Sequence, residues 1–182
     1  KINKEIVAQI GVAGAPAVGL AGDDGGLISA RKAESPDADL GFVGRIERID
    51  PRVLQRLGEF VPVVASVGVG PDGESYNINA DTVAGALAAA LGARKVLFLT
   101  DVEGLRADVA DPESLISECD RTTIEGMLSR GAVSAGMIPK LTAVREALLG
   151  GVEAAHIVDG RVPHAVLIEI LTEAGVGTKV TA

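Results

Sequence analysis

Aromatic residues are nearly missing from this chain: three Phe, one Tyr and no Trp, 2% of 182 residues. A core must therefore be built from Val, Ile, Leu and Ala. Cysteine occurs once, at Cys119, which excludes an internal disulfide and a cysteine-based metal cluster. A reducing, cytoplasmic setting is the expectation. The two histidines, His156 and His164, are too few for a histidine metal site, so no protein-held metal is expected. Positive charge is in deficit, 17 Lys+Arg against 25 Asp+Glu, a net −8. Nucleic acid, which needs a basic face, is thereby a poor partner. No apolar run reaches the ~20 residues that span a bilayer, and no signal-peptide pattern opens the chain, so no membrane role is expected. There is no G-x-x-x-x-G-K-[ST], no H-E-x-x-H and no G-x-S-x-G.

What is present is a globular balance of 47% hydrophobic and 23% charged residues, in a length that suits one domain. Residues 1–10 read as the end of a helix, and residues 17–20 and 27–31 as short apolar runs flanking a Gly-Asp-Asp-Gly-Gly turn. Residues 40–49 alternate as a half-buried strand does. Asp50-Pro51 is set to start a helix, Asp50 as its cap. From residue 61 strands and helices alternate: strands at 61–67, 95–100, 154–158 and 178–181, helices at 80–91, 123–130, 139–149 and 163–171. The run Lys-Val-Leu-Phe-Leu-Thr at 95–100 is expected at the centre of a parallel sheet. Such alternation implies βαβ units and a sheet covered on both faces.

Three segments could carry chemistry. In Tyr76-Asn77-Ile78-Asn79-Ala80-Asp81-Thr82, an extended backbone would aim Asn77, Asn79 and Asp81 to one side. Two carboxamides can hold a carboxylate or an amide, and a carboxylate beside them can orient ammonium groups. The alternative is that these are turn residues, with Asp81 a helix cap. In the run Gly-Ala-Val-Ser-Ala-Gly-Met-Ile-Pro-Lys at 131–140, Gly136 permits a tight turn and Pro139 a helix start, which puts Lys140 in a first helical turn. A lysine is unfavourable at that positive end unless an anion sits between the two, and free N–H groups with an ammonium suit a phosphate. A solvated surface lysine is the alternative. At the end of the apolar strand, Thr100 and Asp101 stand where open α/β sheets meet ligands, or simply begin a loop. Gly68-Val69-Gly70-Pro71-Asp72-Gly73 matches the dinucleotide pattern G-x-G-x-x-G, but Pro71-Asp72-Gly73 makes a turn and no helix opens on it, so a hairpin loop is expected.

Together, Asp39-Leu40-Gly41-Phe42-Val43-Gly44, the Asn77–Asn79–Asp81 stretch, Leu99-Thr100-Asp101-Val102, Gly136-Met137-Ile138-Pro139-Lys140 and His156-Ile157-Val158-Asp159-Gly160-Arg161-Val162-Pro163-His164 resemble acetylglutamate kinase, of the amino-acid kinase superfamily. The resemblance runs over essentially the whole chain, in the family's order. It implies a three-layer αβα sandwich around a mostly parallel sheet. It also implies transfer of the ATP γ-phosphoryl group to the γ-carboxylate of N-acetyl-L-glutamate, a step of arginine biosynthesis. Other superfamily substrates (glutamate, aspartate, carbamate, a nucleotide) and a nicotinamide oxidoreductase are the alternatives. Asn77 and Asn79 would bind acetylglutamate, Asp81 would orient catalytic lysines, and Lys140 would neutralise the transferring phosphate. Thr100, Asp101, Gly136 and Met137 would lie at the nucleotide, with Mg²⁺ held through ATP phosphates. His156, Glu169 and Gly175 match an arginine effector site, and a homo-oligomer, dimer or hexamer, is implied. On this reading residues 1–182 are one partial domain, 1–60 ending the acetylglutamate-binding part and 61–182 binding ATP. The family's further lysine, glycine-rich loop and substrate arginine do not occur in these residues. An N-terminal portion is therefore expected to be missing, and the chain alone to lack full activity.

Overall fold

The computed structural model describes residues 1–36, 38–111, 113–172 and 175–182. They fold as two compact units, Lys1–Val83 and Ala84–Ala182.

In the first unit helix α1 (Ile2–Val12) lies against the parallel pair β1 (Ala17–Ala21) and β4 (Val61–Ala65). Asn3 Nδ2 donates to Leu20 O at 3.2 Å and Val63 O at 2.8 Å, so one side chain ties the helix to both strands. Gly19 permits this approach, because a Cβ there would run into the Asn3 and Lys4 side chains. A second sheet has the order β3-β2-β5-β6, from β2 (Ile28–Lys32), β3 (Gly44–Ile49), β5 (Val67–Val69) and β6 (Ser75–Asn77). Pairs β2/β3 and β5/β6 are antiparallel, and β2/β5 is parallel. Leu27, Ile28, Ala30, Tyr76 and Ile78 are buried here.

The strand expected over 40–49 is confined to β3, because residues 39–43 bend across β6: Asn77 N donates to Phe42 O, and Val43 bridges Asn77. The helix expected at Asp50-Pro51 is one turn, α2 (Arg52–Gln55), with Pro51 rather than Asp50 at its N-cap position. Asp50 is drawn instead to the Arg52 side chain, with Arg52 Nη2 donating to Oδ2 at 2.6 Å, which holds the Asp50 carboxyl down at about 2. Residues 70–73 form the β5–β6 hairpin turn, with Gly70 N donating to Glu74 O. That is not the strand-to-helix turn a dinucleotide site requires.

Helix α3 (Ala80–Ala90) leads from one unit into the other and ends at Gly92, whose φ of 61° is the left-handed stop. The second unit carries β7 (Lys95–Thr100), the small hairpin β8 (Leu105–Arg106) and β9 (Leu115–Ile116), and β10 (Glu118–Asp120). It continues with α4 (Arg121–Ser129), α5 (Met137–Leu149), β11 (Ala154–Asp159), α6 (Ala165–Leu171) and β12 (Thr178–Thr181). Its sheet runs β10-β12-β11-β7, with parallel pairs β10/β12 and β11/β7 and an antiparallel pair β11/β12.

Side chains alternate between faces along each strand. Val96, Phe98, Ala155, Ile157 and Val180 face Ile124 of α4 and Leu141, Val144, Ala147 and Leu148 of α5 in one aliphatic cluster. His156 points to the opposite face, where α6 lies against β11. The expectation of a central, fully apolar strand at 95–100 is corrected. β7 is the end strand of this sheet, and only Val96 and Phe98 are buried while Leu99 is 55% exposed. An apolar run reports hydrophobicity, not the number of neighbouring strands. Thr178, fully buried, accepts from Leu105 N at 2.8 Å and donates to Ile116 O at 2.6 Å, and so clamps the β8–β9 hairpin onto the sheet.

Candidate functional site

The carboxyl ends of β7 and β11 meet at the Thr100–Asp159 pair. There a cavity of about 210 Å³ is lined by residues 101–106, Val109, Met127, residues 132–134, Met137 and Arg161. Ligands of open α/β sheets bind outside strand carboxyl ends, and the lining suits an amphipathic ligand. Leu105, Val109, Met127, Val133 and Met137 give apolar walls, and Asp101, Glu103, Arg106, Ser134 and Arg161 give polar edges. The volume is below the ~300–1,000 Å³ common for whole ligands, so it suits one ring system of a larger molecule.

Of the nucleotide candidates, Asp101 and Met137 line this cavity, while Thr100 and Gly136 sit next to them in sequence outside the lining. Thr100 Oγ1 donates to Asp101 Oδ1 at 3.3 Å. Gly136 has φ −69°, ψ −22°, which any residue adopts, and a Cβ there would meet nothing within 4 Å. The tight turn expected of it is therefore not needed, and α5 starts at Met137, two residues early. Lys140 stands in that first helical turn, as expected. It is not a solvated lysine, being 9% exposed with Nζ 5.9 Å from the Phe98 ring centroid. The ring's negative face offsets some of the ill fit between an ammonium and a positive helix end.

Arg161 escaped the sequence reading. Its Nε and Nη2 donate to Asp159 Oδ1 and Oδ2 at 2.9 and 2.8 Å, and its backbone N donates to Oδ1 at 2.9 Å. This guanidinium, and then the backbone N–H, hold the nearly buried Asp159 carboxyl at about 2. The only sequence signal was an Asp-Gly turn closing a parallel strand, with a basic residue next.

In the first unit Asn77 and Asn79 are both exposed, alternating with buried Tyr76 and Ile78, as an extended backbone requires. The alternation stops before Asp81, which is inside α3. The cap belongs to Asn79: its Oδ1 accepts from Thr82 N at 3.1 Å.

His156, Glu169 and Gly175 line a second cleft with Lys95, Ser117, Glu118, Ile170, Thr172 and Lys179. Glu169 is buried rather than a solvated helix residue. Its Oε1 meets His156 Nδ1 at 2.7 Å, and its Oε2 accepts from Val176 N at 2.8 Å and Gly177 N at 3.1 Å. Burial pushes this carboxyl up, but the hydrogen bonds from His156, Val176 and Gly177 outweigh it and the net shift is downward. An ionised carboxylate only accepts, so Nδ1 carries the proton. Nε2 of His156 is buried without a hydrogen-bond partner among the described residues.

Residues 1–159 match the Amino acid kinase family. The chain belongs to that family. Within it, the chain is 51% identical over 190 residues to acetylglutamate kinase of Moorella thermoacetica and 52% over 188 residues to that of Symbiobacterium thermophilum. Each match covers 99% of this chain and 64% of the relative, so the chain spans about two-thirds or slightly less of those proteins. Solved structures agree on the fold. N-acetylglutamate synthase of Neisseria gonorrhoeae, complexed with coenzyme A and N-acetyl-glutamate, superposes with a TM-score of 0.84 at 21% identity over 96% of this chain and 40% of its own. An isopentenyl phosphate kinase of T. acidophilum gives 0.64 at 18% identity, over 98% and 65%. The α/β, amino-acid-kinase fold expected from the sequence is the fold observed.

Proposed function

We propose that this protein transfers the γ-phosphoryl group of ATP to the γ-carboxylate of N-acetyl-L-glutamate. The supporting observation is Lys140, an ammonium held nine-tenths buried at the start of a helix whose first residue, Met137, lines the cavity. The half-identical relatives carry the name of that reaction.

Phosphoryl transfer asks a protein chiefly for alignment and for positive charge at the equatorial oxygens. The attacking carboxylate is ionised at neutral pH, so no general base is needed. The apolar walls of the cavity fit an adenine ring, and the polar edges of Asp101 and Ser134 fit its ribose. Mg²⁺ would enter with the phosphates. Lys140 would meet the transferring group, Asp81 would orient ammonium groups, and Asn77 and Asn79 would hold acetylglutamate. On this reading residues 1–60 belong to the acetylglutamate side and 61–182 to the ATP side, and the active form is a dimer or hexamer in the cytoplasm. Among the described residues no helix is long and apolar enough to cross a membrane. The cleft at His156, Glu169 and Gly175 would admit an arginine effector, its guanidinium drawn to Glu169 and Glu118.

Thermal melting of the complete protein with ATP–Mg²⁺, N-acetyl-L-glutamate and NAD tests this. A ligand at about a hundred times its Kd should stabilise by about 2.7 kcal/mol. The first two should raise Tm and NAD should not. The absence of a shift with ATP–Mg²⁺ would sink the proposal.

A further inference from the structure

We propose that Arg161 grips the phosphate chain of the nucleotide at the cavity beyond β7 and β11, and that Asp159 is the positioning residue that aims it. The inference rests on the nucleotide reading of that cavity and adds a contact which nothing in the sequence pattern assigns.

Four observations carry it. First, the cavity holds one ring system rather than a whole nucleotide, so a triphosphate must leave it over the rim, and Arg161 is part of that rim. Second, Arg161 is fixed although its side chain is 68% exposed. An ordinary exposed arginine gives up side-chain entropy for little gain when it settles into one ion pair. Here the carboxylate is 9% exposed and takes both the Nε and the Nη2 donors, a two-point fork that sets the guanidinium plane. A guanidinium has five donors, so among the described residues Nη1 remains for a ligand's oxygens.

Third, the turn that carries Arg161 is locked to the strand that carries Thr100 and Asp101. Gly160 N donates to Thr100 O at 2.9 Å, and any Cβ on Gly160 would come within 3.3 Å of Leu99 Cβ. Arg161 therefore keeps a set relation to the end of β7. Fourth, the rim is otherwise unfavourable to a polyanion. Asp101 and Glu103 both line it, and Arg106 is drawn to Glu103 at 3.5 Å. Arg161 supplies the charge that offsets those carboxylates where phosphates would pass. The bland alternative is that Arg161 exists only to balance Asp159, in which case it contributes nothing specific to phosphate.

The two readings separate by which part of the ligand loses affinity. Titration calorimetry on the complete protein compares ATP–Mg²⁺, ADP and adenosine for wild type, Arg161→Met and Asp159→Asn. A charge-assisted contact predicts that Arg161→Met weakens ATP and ADP about ten- to hundredfold while adenosine changes less than about twofold. Asp159→Asn should show the same pattern at smaller size, and Arg161→Lys, which keeps charge but not the fork, should recover part of the loss. Equal losses for all three ligands, or none, would overturn the assignment. Failure of wild type to bind ATP or adenosine at all would overturn the nucleotide reading beneath it, a distinct result. If Arg161→Met does not fold, the Arg161→Lys and Asp159→Asn pair decides by the same ATP-to-adenosine ratio.

Discussion

Nδ1 of His156 lies 2.7 Å from Oε1 of Glu169, both side chains buried between β11 and α6. Helix α6 thus turns its one acid inward while Leu167, Ile170 and Leu171 are exposed. Glu169→Ala would strand the His156 N–H and the Val176 and Gly177 N–H groups together. The expected loss is about 3–5 kcal/mol, the range for breaking a buried pair. Glu169→Gln, which keeps an acceptor, should cost clearly less. Urea unfolding measures both, and a loss below about 1 kcal/mol for the alanine variant would contradict the arrangement.

Asp159 and Glu169 both have carboxyls held below their ordinary values, Asp159 at about 2 through Arg161. A lowered native pKa adds stability that is complete above the unfolded value, about 3.9 for Asp and 4.3 for Glu. That stability disappears as pH falls through the native value. Between about pH 4 and pH 2, Asp159→Asn should therefore unfold with a shallower pH dependence than wild type. An unchanged slope in acid titrations followed by circular dichroism would remove Asp159 from the account.

Gly104 has φ 158°, beside the Thr178 hydroxyl, in the loop that walls the cavity. Gly104→Ala should cost about 1–3 kcal/mol, because that backbone region belongs almost only to glycine. It should also weaken nucleotide binding by shifting residues 103–105. A variant with unchanged Tm and unchanged ATP affinity would speak against both effects.

The sequence exposed the elements more readily than their surroundings. The C-terminal end of α5, β11 and β12 follow from apolar spacing and glycine stops. Lys140 was singled out because a lysine in a first helical turn conflicts with the helix dipole. That β7 ends its sheet was hidden, since Lys95–Thr100 reads equally apolar at an edge or a centre. Asn79 takes the cap that the alternative reading gave to Asp81, two residues on, because both are good cap residues and only backbone geometry decides between them. Arg161 has no role in the sequence pattern because a charged residue in a turn is solvated by default, and its partner Asp159 is fixed only by a two-residue turn. The burial of Glu169, named only for an effector site, is hidden for a related reason: its partner His156 is fixed by tertiary contact.

If Asp81 and Lys140 perform the roles proposed for them, Asp81→Asn and Lys140→Met should lower kcat at least a hundredfold, the scale for losing one preorganised charge from a transition state. KM for ATP should move far less. Equal kcat in either variant would relieve that residue of its role.

The most direct measurement supplies the complete protein with ATP–Mg²⁺ and hydroxylamine, which traps an acyl phosphate as a hydroxamate, and compares N-acetyl-L-glutamate with glutamate, aspartate and carbamate. The account predicts hydroxamate and ADP in equal amounts with N-acetyl-L-glutamate and little with the others. ADP and hydroxamate formed from another of these acids, with N-acetyl-L-glutamate inert, would contradict it.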